Sequence, residues 1–118
     1  STIVMKYMQK YGFKVYPVNP RAEGKKILGE EVFAKISDIK DRVDIVDVFR
    51  PSKEVYAIAE DTIKIRAKVL WLQLGIRDEK AKELIEKYDI RYVENKCTKI
   101  EYQKYFLKVR QAFPVLSD

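Results

Sequence analysis

The chain has 118 residues, 47% of them hydrophobic and 36% charged, with a net charge of +6. That suits one folded domain with a core, and it is not the composition of a disordered segment. There is no histidine and only one cysteine, Cys97. This excludes Ser-His-Asp and Cys-His nucleophile pairs, histidine bases and metal sites, an intrachain disulfide and a multi-cysteine zinc site.

Residues 1–11 read as an amphipathic helix with Ile3, Val4, Tyr7, Met8 and Tyr11 on one face, Ser1 as its N-cap and Gly12 as its stop. Phe13–Val18 reads as a strand that ends where Asn19-Pro20 forbids continuation. Residues 21–43 are irregular, with a short strand expected near Val32-Phe33 and a turn at residues 37–40. Asp44–Phe49, DIVDVF, is a β-branched strand stopped by Arg50-Pro51. Ser52 is the expected N-cap of a helix to about Arg66, with Val55, Ile58, Ala59, Thr62 and Ile63 inward. Lys68–Leu72 reads as a strand covered on both faces. Asp78 caps a helix through Tyr88, with Ala81, Leu84, Ile85 and Tyr88 inward. Ile90–Val93 is a last short strand. A final helix runs from about Lys99 to Gln111, with Tyr102, Tyr105, Phe106 and Val109 along one side.

Strands alternating with helices imply an α/β fold with a parallel sheet and right-handed crossovers. In such sheets ligands bind outside the carboxyl ends of the strands. Those ends carry PVNPR (17–21), VFRPS (48–52), WLQLG (71–75) and ENKC (94–97). The two prolines of PVNPR fix an extended turning backbone, and Arg21 offers a planar cation for phosphate. Equally, the segment reads as a strand exit with a surface arginine. Phe49 could stack on a flat heterocycle, and Ser52 opens a helix whose free N–H groups suit an anion. The alternative is a core Phe and an ordinary cap. Gln73, at the end of a buried strand, must find hydrogen-bond partners, and Gly75 admits close backbone approach. A neighbouring loop would satisfy Gln73 as well as a ligand would. Cys97 is a small hydrophobe or a thiol activated by Lys96, Lys99 or the helix after it.

In this order and spacing, GFKVYPVNPR, ILGEEVF, VDIVDVFRPS, AKVLWLQLGI and CTKIEY resemble the small single-domain CoA-binding proteins, relatives of the CoA-binding domain of the succinyl-CoA synthetase α subunit. The resemblance runs to about Tyr102. It implies a Rossmann-like, doubly wound, three-layer fold that binds CoA at the carboxyl edge of its sheet. By the same resemblance Pro17, Val18, Asn19, Pro20 and Arg21 line the adenosine-phosphate end. Val48, Phe49 and Arg50 contact the nucleotide and pyrophosphate, with Ser52 at the following helix. Gln73 and Gly75 lie beside the pantetheine path, and Cys97 near its thiol end. The family also begins with an apolar strand and a Gly/Ser phosphate loop before the first helix. This chain starts at the residue that opens that helix, so the central first strand and the loop are expected to be missing from it, leaving the flanking strands unpaired. The whole of 1–118 is expected to form one domain, with 103–118 as a helical tail.

The function expected from these motifs is non-catalytic binding of CoA or acyl-CoA. One alternative is a subunit or fragment of an NDP-forming acyl-CoA synthetase. The multidomain relatives use a phosphohistidine on a separate domain, and residues 1–118 hold no histidine. Another is a redox-linked protein that forms a CoA mixed disulfide at Cys97. Nucleic-acid binding is the weakest reading, because the basic residues are dispersed and no paired DNA-reading helices are evident. The composition fits the cytoplasm, no run is long enough for a membrane span, and aromatic residues on the last helix would suit a homodimer.

Overall fold

A computed structural model of the chain describes residues 2–107. Helix α1 (Thr2–Lys10) buries Val4 and Met5, and Gly12 closes it with φ 90°, a conformation open to glycine because it lacks Cβ. Ile3, expected inward, is 46% exposed. Met5 takes the flank of Val4 instead, so the inward stripe is centred one residue later.

The expected strand Phe13–Val18 does not form a ladder. Residues 13–17 have no regular structure, and Val18 makes one parallel bridge to Phe33. That bridge consists of Asn19 N–H donating to Phe33 O (2.9 Å) and Phe33 N–H donating to Pro17 O (2.9 Å). β-Branched and aromatic residues favour a strand only where a neighbour completes the pairing, and among the described residues no second strand runs alongside. Strands β1 (Lys26–Ile27) and β2 (Glu30–Glu31) form a short antiparallel hairpin. Its two turn residues, Leu28 and Gly29, both have positive φ, at 48° and 82°, as a primed two-residue turn requires. The strand expected at Val32-Phe33 is reduced to the bridge at Phe33, and a 3₁₀ turn at Ile36–Asp38 takes the place of the turn expected at 37–40.

Three parallel strands form the main sheet in the order β3 (Ile45–Val48), β4 (Val69–Leu72), β5 (Arg91–Val93). Ile45 pairs with Val69, Val48 with Leu72, and Val69 with Arg91. Alternation along the strands divides the side chains between two faces. Val46, Val48, Leu70 and Leu72 form the core with Val55 and Ala59 of helix α2 (Val55–Lys64) and Ala81 and Ile85 of helix α3 (Glu79–Ile85). Asp47, Trp71 and Gln73 point to the opposite face, where helix α4 (Thr98–Tyr102) meets Asp47 and Gln73 through Thr98. Tyr102 of α4 packs its ring against Tyr7 and Tyr11 of the α1 region, with centroids 6.2 and 5.3 Å apart. Helices thus cover both faces, giving a three-layer α/β domain. No helix among the described residues is long and apolar enough to cross a membrane.

Three helix boundaries differ from expectation. A 3₁₀ turn (Ser52–Glu54) precedes α2 and has no side-chain cap; the Ser52 hydroxyl instead accepts the Arg77 N–H at 3.2 Å. Helix α3 ends at Ile85, where i→i−3 bonds from Lys87 and Tyr88 tighten the chain, and Tyr88 is exposed. Helix α4 gives way to a π-helical turn at Gln103–Leu107. There Tyr102 stacks on Phe106 at 5.1 Å, while Tyr105 and Phe106 stay exposed. Val109, and the expected tail beyond residue 107, lie outside the described residues.

Candidate functional site at the carboxyl edge of the sheet

The loops that follow β3, β4 and β5 are joined to one another by hydrogen bonds. Directly after β4, Lys96 N–H donates to Leu72 O (3.2 Å), and the Trp71 indole N–H donates to Lys96 O (2.7 Å). Gly75, with φ 80°, donates its N–H to Asn95 Oδ1 at 2.8 Å. Asn95 is itself left-handed, with φ 57°; asparagine tolerates this better than most side chains. The Ser52–Arg77 bond ties the loop after β3 to the segment entering α3. Asp78 then caps α3, as the sequence suggests, by accepting the Ala81 N–H at 2.9 Å.

Gln73 finds its partners inside the protein. Its Nε2 donates to Asp47 Oδ1 and to Thr98 Oγ1 (3.0 Å). Thr98 Oγ1 donates to Asp47 Oδ2 (2.9 Å), and Thr98 N–H donates to Gln73 Oε1 (3.3 Å). Gln73 is only 5% exposed, and its amide is satisfied within the protein, by Asp47 of β3 and Thr98 of α4 and not by the neighbouring loop expected from the sequence. Burial raises the Asp47 carboxyl to about 6, against the two hydrogen bonds that favour its charged form. No Lys or Arg among the described residues forms an ion pair with it.

The other candidate residues divide between core, turn and surface. Val48 is buried in the α2–α3 core, so its side chain faces away from any ligand on the Asp47 side. Asn19 Oδ1 accepts the Arg21 N–H (3.0 Å) and caps the short 3₁₀ turn Pro20–Ala22. Pro17, Val18 and Phe49 are half-buried, whereas Pro20 and Arg21 are exposed. Arg50 is held by Glu54 in a two-pronged pair, Nε to Oε1 at 3.0 Å and a terminal nitrogen to Oε2 at 2.9 Å. That pair lowers the Glu54 carboxyl from its ordinary value, and the positive charges of Lys53 and Arg21 act in the same direction. Arg50 alone grips this carboxylate, while Lys53 and Arg21, the latter from a different loop, act on it only through their charge. Cys97 is 2% exposed at the N-cap of α4, which makes it a packed side chain and not a presented thiol.

Sequence reasoning missed Asp47 and Thr98, and it placed Asn95 at the strand end without giving it a role. A charged residue inside DIVDVF was the available signal for Asp47, since a carboxylate in a half-buried strand needs partners. Two surface grooves lie elsewhere. One of about 600 Å³ runs between α2 and α3 beside Tyr56, Lys80 and Lys87. The other, of about 200 Å³, sits at the amino ends of β4 and β5 beside Arg66 and Ile90. Among the described residues, no group of three His, Cys, Asp or Glu side chains could hold a metal ion.

A parallel sheet with helices on both faces and polar loops laced across its carboxyl edge is a Rossmann-like binding domain. The chain belongs to a CoA-binding domain family, whose model matches residues 1–103. It is 30% identical to the uncharacterized protein YneT of Bacillus subtilis (strain 168) over 102 residues, 86% of this chain and 74% of that protein. It superposes on a Thermus thermophilus structure with a TM-score of 0.85 and 35% identity, covering 88% of this chain and 78% of that one. A hypothetical protein from Pyrococcus horikoshii OT3 gives a TM-score of 0.83 with 34% identity, over 87% of this chain and 71% of that one. The dinucleotide-forming acetyl-coenzyme A synthetase 1 of Ca. Korarchaeum cryptofilum, solved with phosphate and ADP, gives 0.61 with 28% identity. That match takes in 75% of this chain but only 21% of the enzyme.

Proposed function

We propose that the chain is a CoA-binding module that holds CoA or an acyl-CoA along the carboxyl ends of β3, β4 and β5 and carries out no chemistry of its own. The observation that carries this reading is the match of residues 1–103 to the CoA-binding domain family. The site chemistry supports it. Arg21, Arg50 and Lys53 around Glu54 form a cationic patch suited to the adenosine phosphates. The PVNPR turn and Phe49 flank the adenine end, and the Gly75 turn leaves room for the narrow pantetheine arm. Val48 and Gln73 support this wall from behind, and Ser52 does so through the Arg77 N–H. With no histidine in the chain, it lacks the commonest general base. Isothermal titration with CoA, dephospho-CoA, NAD and ATP tests the proposal. CoA is expected to bind most tightly; binding of NAD with no heat from CoA would overturn it.

A second reading treats the chain as the CoA-binding portion of a larger acyl-CoA synthetase, supported by the 28% identity to the Korarchaeum enzyme. Co-purification from the native organism with a nucleotide-binding ligase subunit would favour it. A mixed disulfide at Cys97 would first require local opening, given the burial of that thiol.

A further inference from the structure

We infer that Asp47 and Thr98 are positioning residues for the ligand edge: together they fix the Gln73 amide one way round and hold the Gly75 turn in register with the Asn95–Cys97 loop. The inference rests on the CoA reading and extends it to residues that never touch CoA.

A glutamine amide has two donor hydrogens and one carbonyl oxygen, and which end is which follows from its neighbours. One Nε2 hydrogen goes to Asp47 Oδ1 and the other to Thr98 Oγ1. The single hydroxyl hydrogen of Thr98 goes to Asp47 Oδ2, and Thr98 N–H goes to Gln73 Oε1. Every donor is used once, and no donor faces another. A charged Asp47 offers only acceptors, so it dictates this orientation. Turning the amide over would set Nε2 against the Thr98 N–H and Oε1 against the Asp47 carboxylate.

The ring joins three segments far apart in sequence, at the points that place the two loops. Gln73 lies two residues before Gly75, whose N–H is held by Asn95. Thr98 lies two residues after Lys96, which is bonded to both Leu72 and Trp71. A scaffold needs no such carboxylate. Apolar residues of similar volume often serve a core as well or better, and this carboxylate has no cation partner among the described residues. The groups touching it, Gln73 just after β4 and Thr98 of α4, are both uncharged, and the positive charge of the chain's amino terminus acts on it in favour of the carboxylate. Its placement at the edge where such sheets bind ligands gives it a use that its cost to stability does not.

Protonation breaks the ring. A proton on Oδ2 opposes the Thr98 hydroxyl hydrogen, and one on Oδ1 opposes the Gln73 N–H. Either way at least one bond is lost and the amide is free to turn. Because burial holds the carboxyl near 6, this happens in an accessible range.

Two measurements on the full chain test the inference. The first is calorimetric titration with dephospho-CoA, which lacks the 3′-phosphate and its own titration, from about pH 5 to 8. Wild type should weaken roughly tenfold toward the acid end, as the loss of a charge-assisted bond would give. Asp47→Asn should be weak and flat with pH, Thr98→Val weak, and Thr98→Ser close to wild type. Equal affinity in all four proteins, or a flat wild-type profile, would overturn the inference. The second needs no ligand. In amide NMR spectra the Gly75, Asn95 and Thr98 signals should shift together with a midpoint near the Asp47 value, and should not do so in Asp47→Asn. Coupled shifts without any CoA binding would sink the CoA reading and leave the positioning intact. CoA binding with no coupled shifts would do the reverse.

Discussion

Asp47 bears its charge where charge is expensive. Its carboxyl is raised by burial to about 6, above the ordinary aspartate range near 4. An acid raised on folding stabilises the fold while protonated. That contribution is complete below about pH 4 and is lost as pH rises through about 6. Wild type should therefore lose on the order of 2 kcal/mol from this residue between about pH 4 and 7. Asp47→Asn should show no such loss, gaining relative to wild type as pH rises, as urea unfolding at several pH values would reveal. Parallel profiles for the two proteins would contradict the assignment. A site that works in its less stable form is a familiar compromise between activity and stability. Asn95 tests the neighbouring turn. Asn95→Ala loses the bond to Gly75 and strains a left-handed backbone, which should cost about 1–2 kcal/mol in thermal unfolding. Asn95→Gly loses only the bond and should cost less.

The elements show why part of the fold could be read and part could not. Strands β3, β4 and β5, and the cap at Asp78, follow from short apolar or β-branched runs and from one Asp three residues ahead of an N–H that needs it. Phe13–Val18 has the same β-rich character but bridges only at Val18, because pairing depends on neighbours that composition does not reveal. Ser52 resembled a cap, but its hydroxyl is used by Arg77, 25 residues away. The site was legible in the same uneven way. Its loops were marked by Pro, Gly and Gln, whereas the Asp47–Thr98 contact spans 51 residues, and no local pattern announces it. The outer edge of β3 has its own signature. Val48 O accepts from Gln73 N–H and Asp44 O from Val69 N–H, so the backbone groups of even-numbered residues point to β4 and those of odd-numbered residues point to the open edge of the sheet. Hydrogen exchange followed by NMR should find the amides of Val46 and Val48 protected and those of Ile45 and Phe49 fast. Strong protection of the second pair would mean that another strand covers this edge.

Across the whole molecule, a net charge of +6 draws anions to the surface, but affinity depends on where the cations are free. Arg50 is engaged by Glu54, with Arg21 and Lys53 nearby. The pair is exposed and so weak that an incoming phosphate can compete for Arg50. Glu54→Gln should release Arg50 and remove one negative charge, tightening CoA binding about twofold to fivefold, with the gain shrinking as salt is added. Weaker binding by this variant would place the phosphates elsewhere. The buried Asp47 carboxyl has one more consequence, which concerns measurement. In a chain without histidine, ordinary side chains leave the interval from about pH 5 to 7 nearly empty. Protons taken up or released there on binding dephospho-CoA, counted by calorimetry in buffers of different ionisation heat, would report on Asp47 almost alone. The protein thus carries its own unlabelled indicator, at the strand edge where occupancy is to be read.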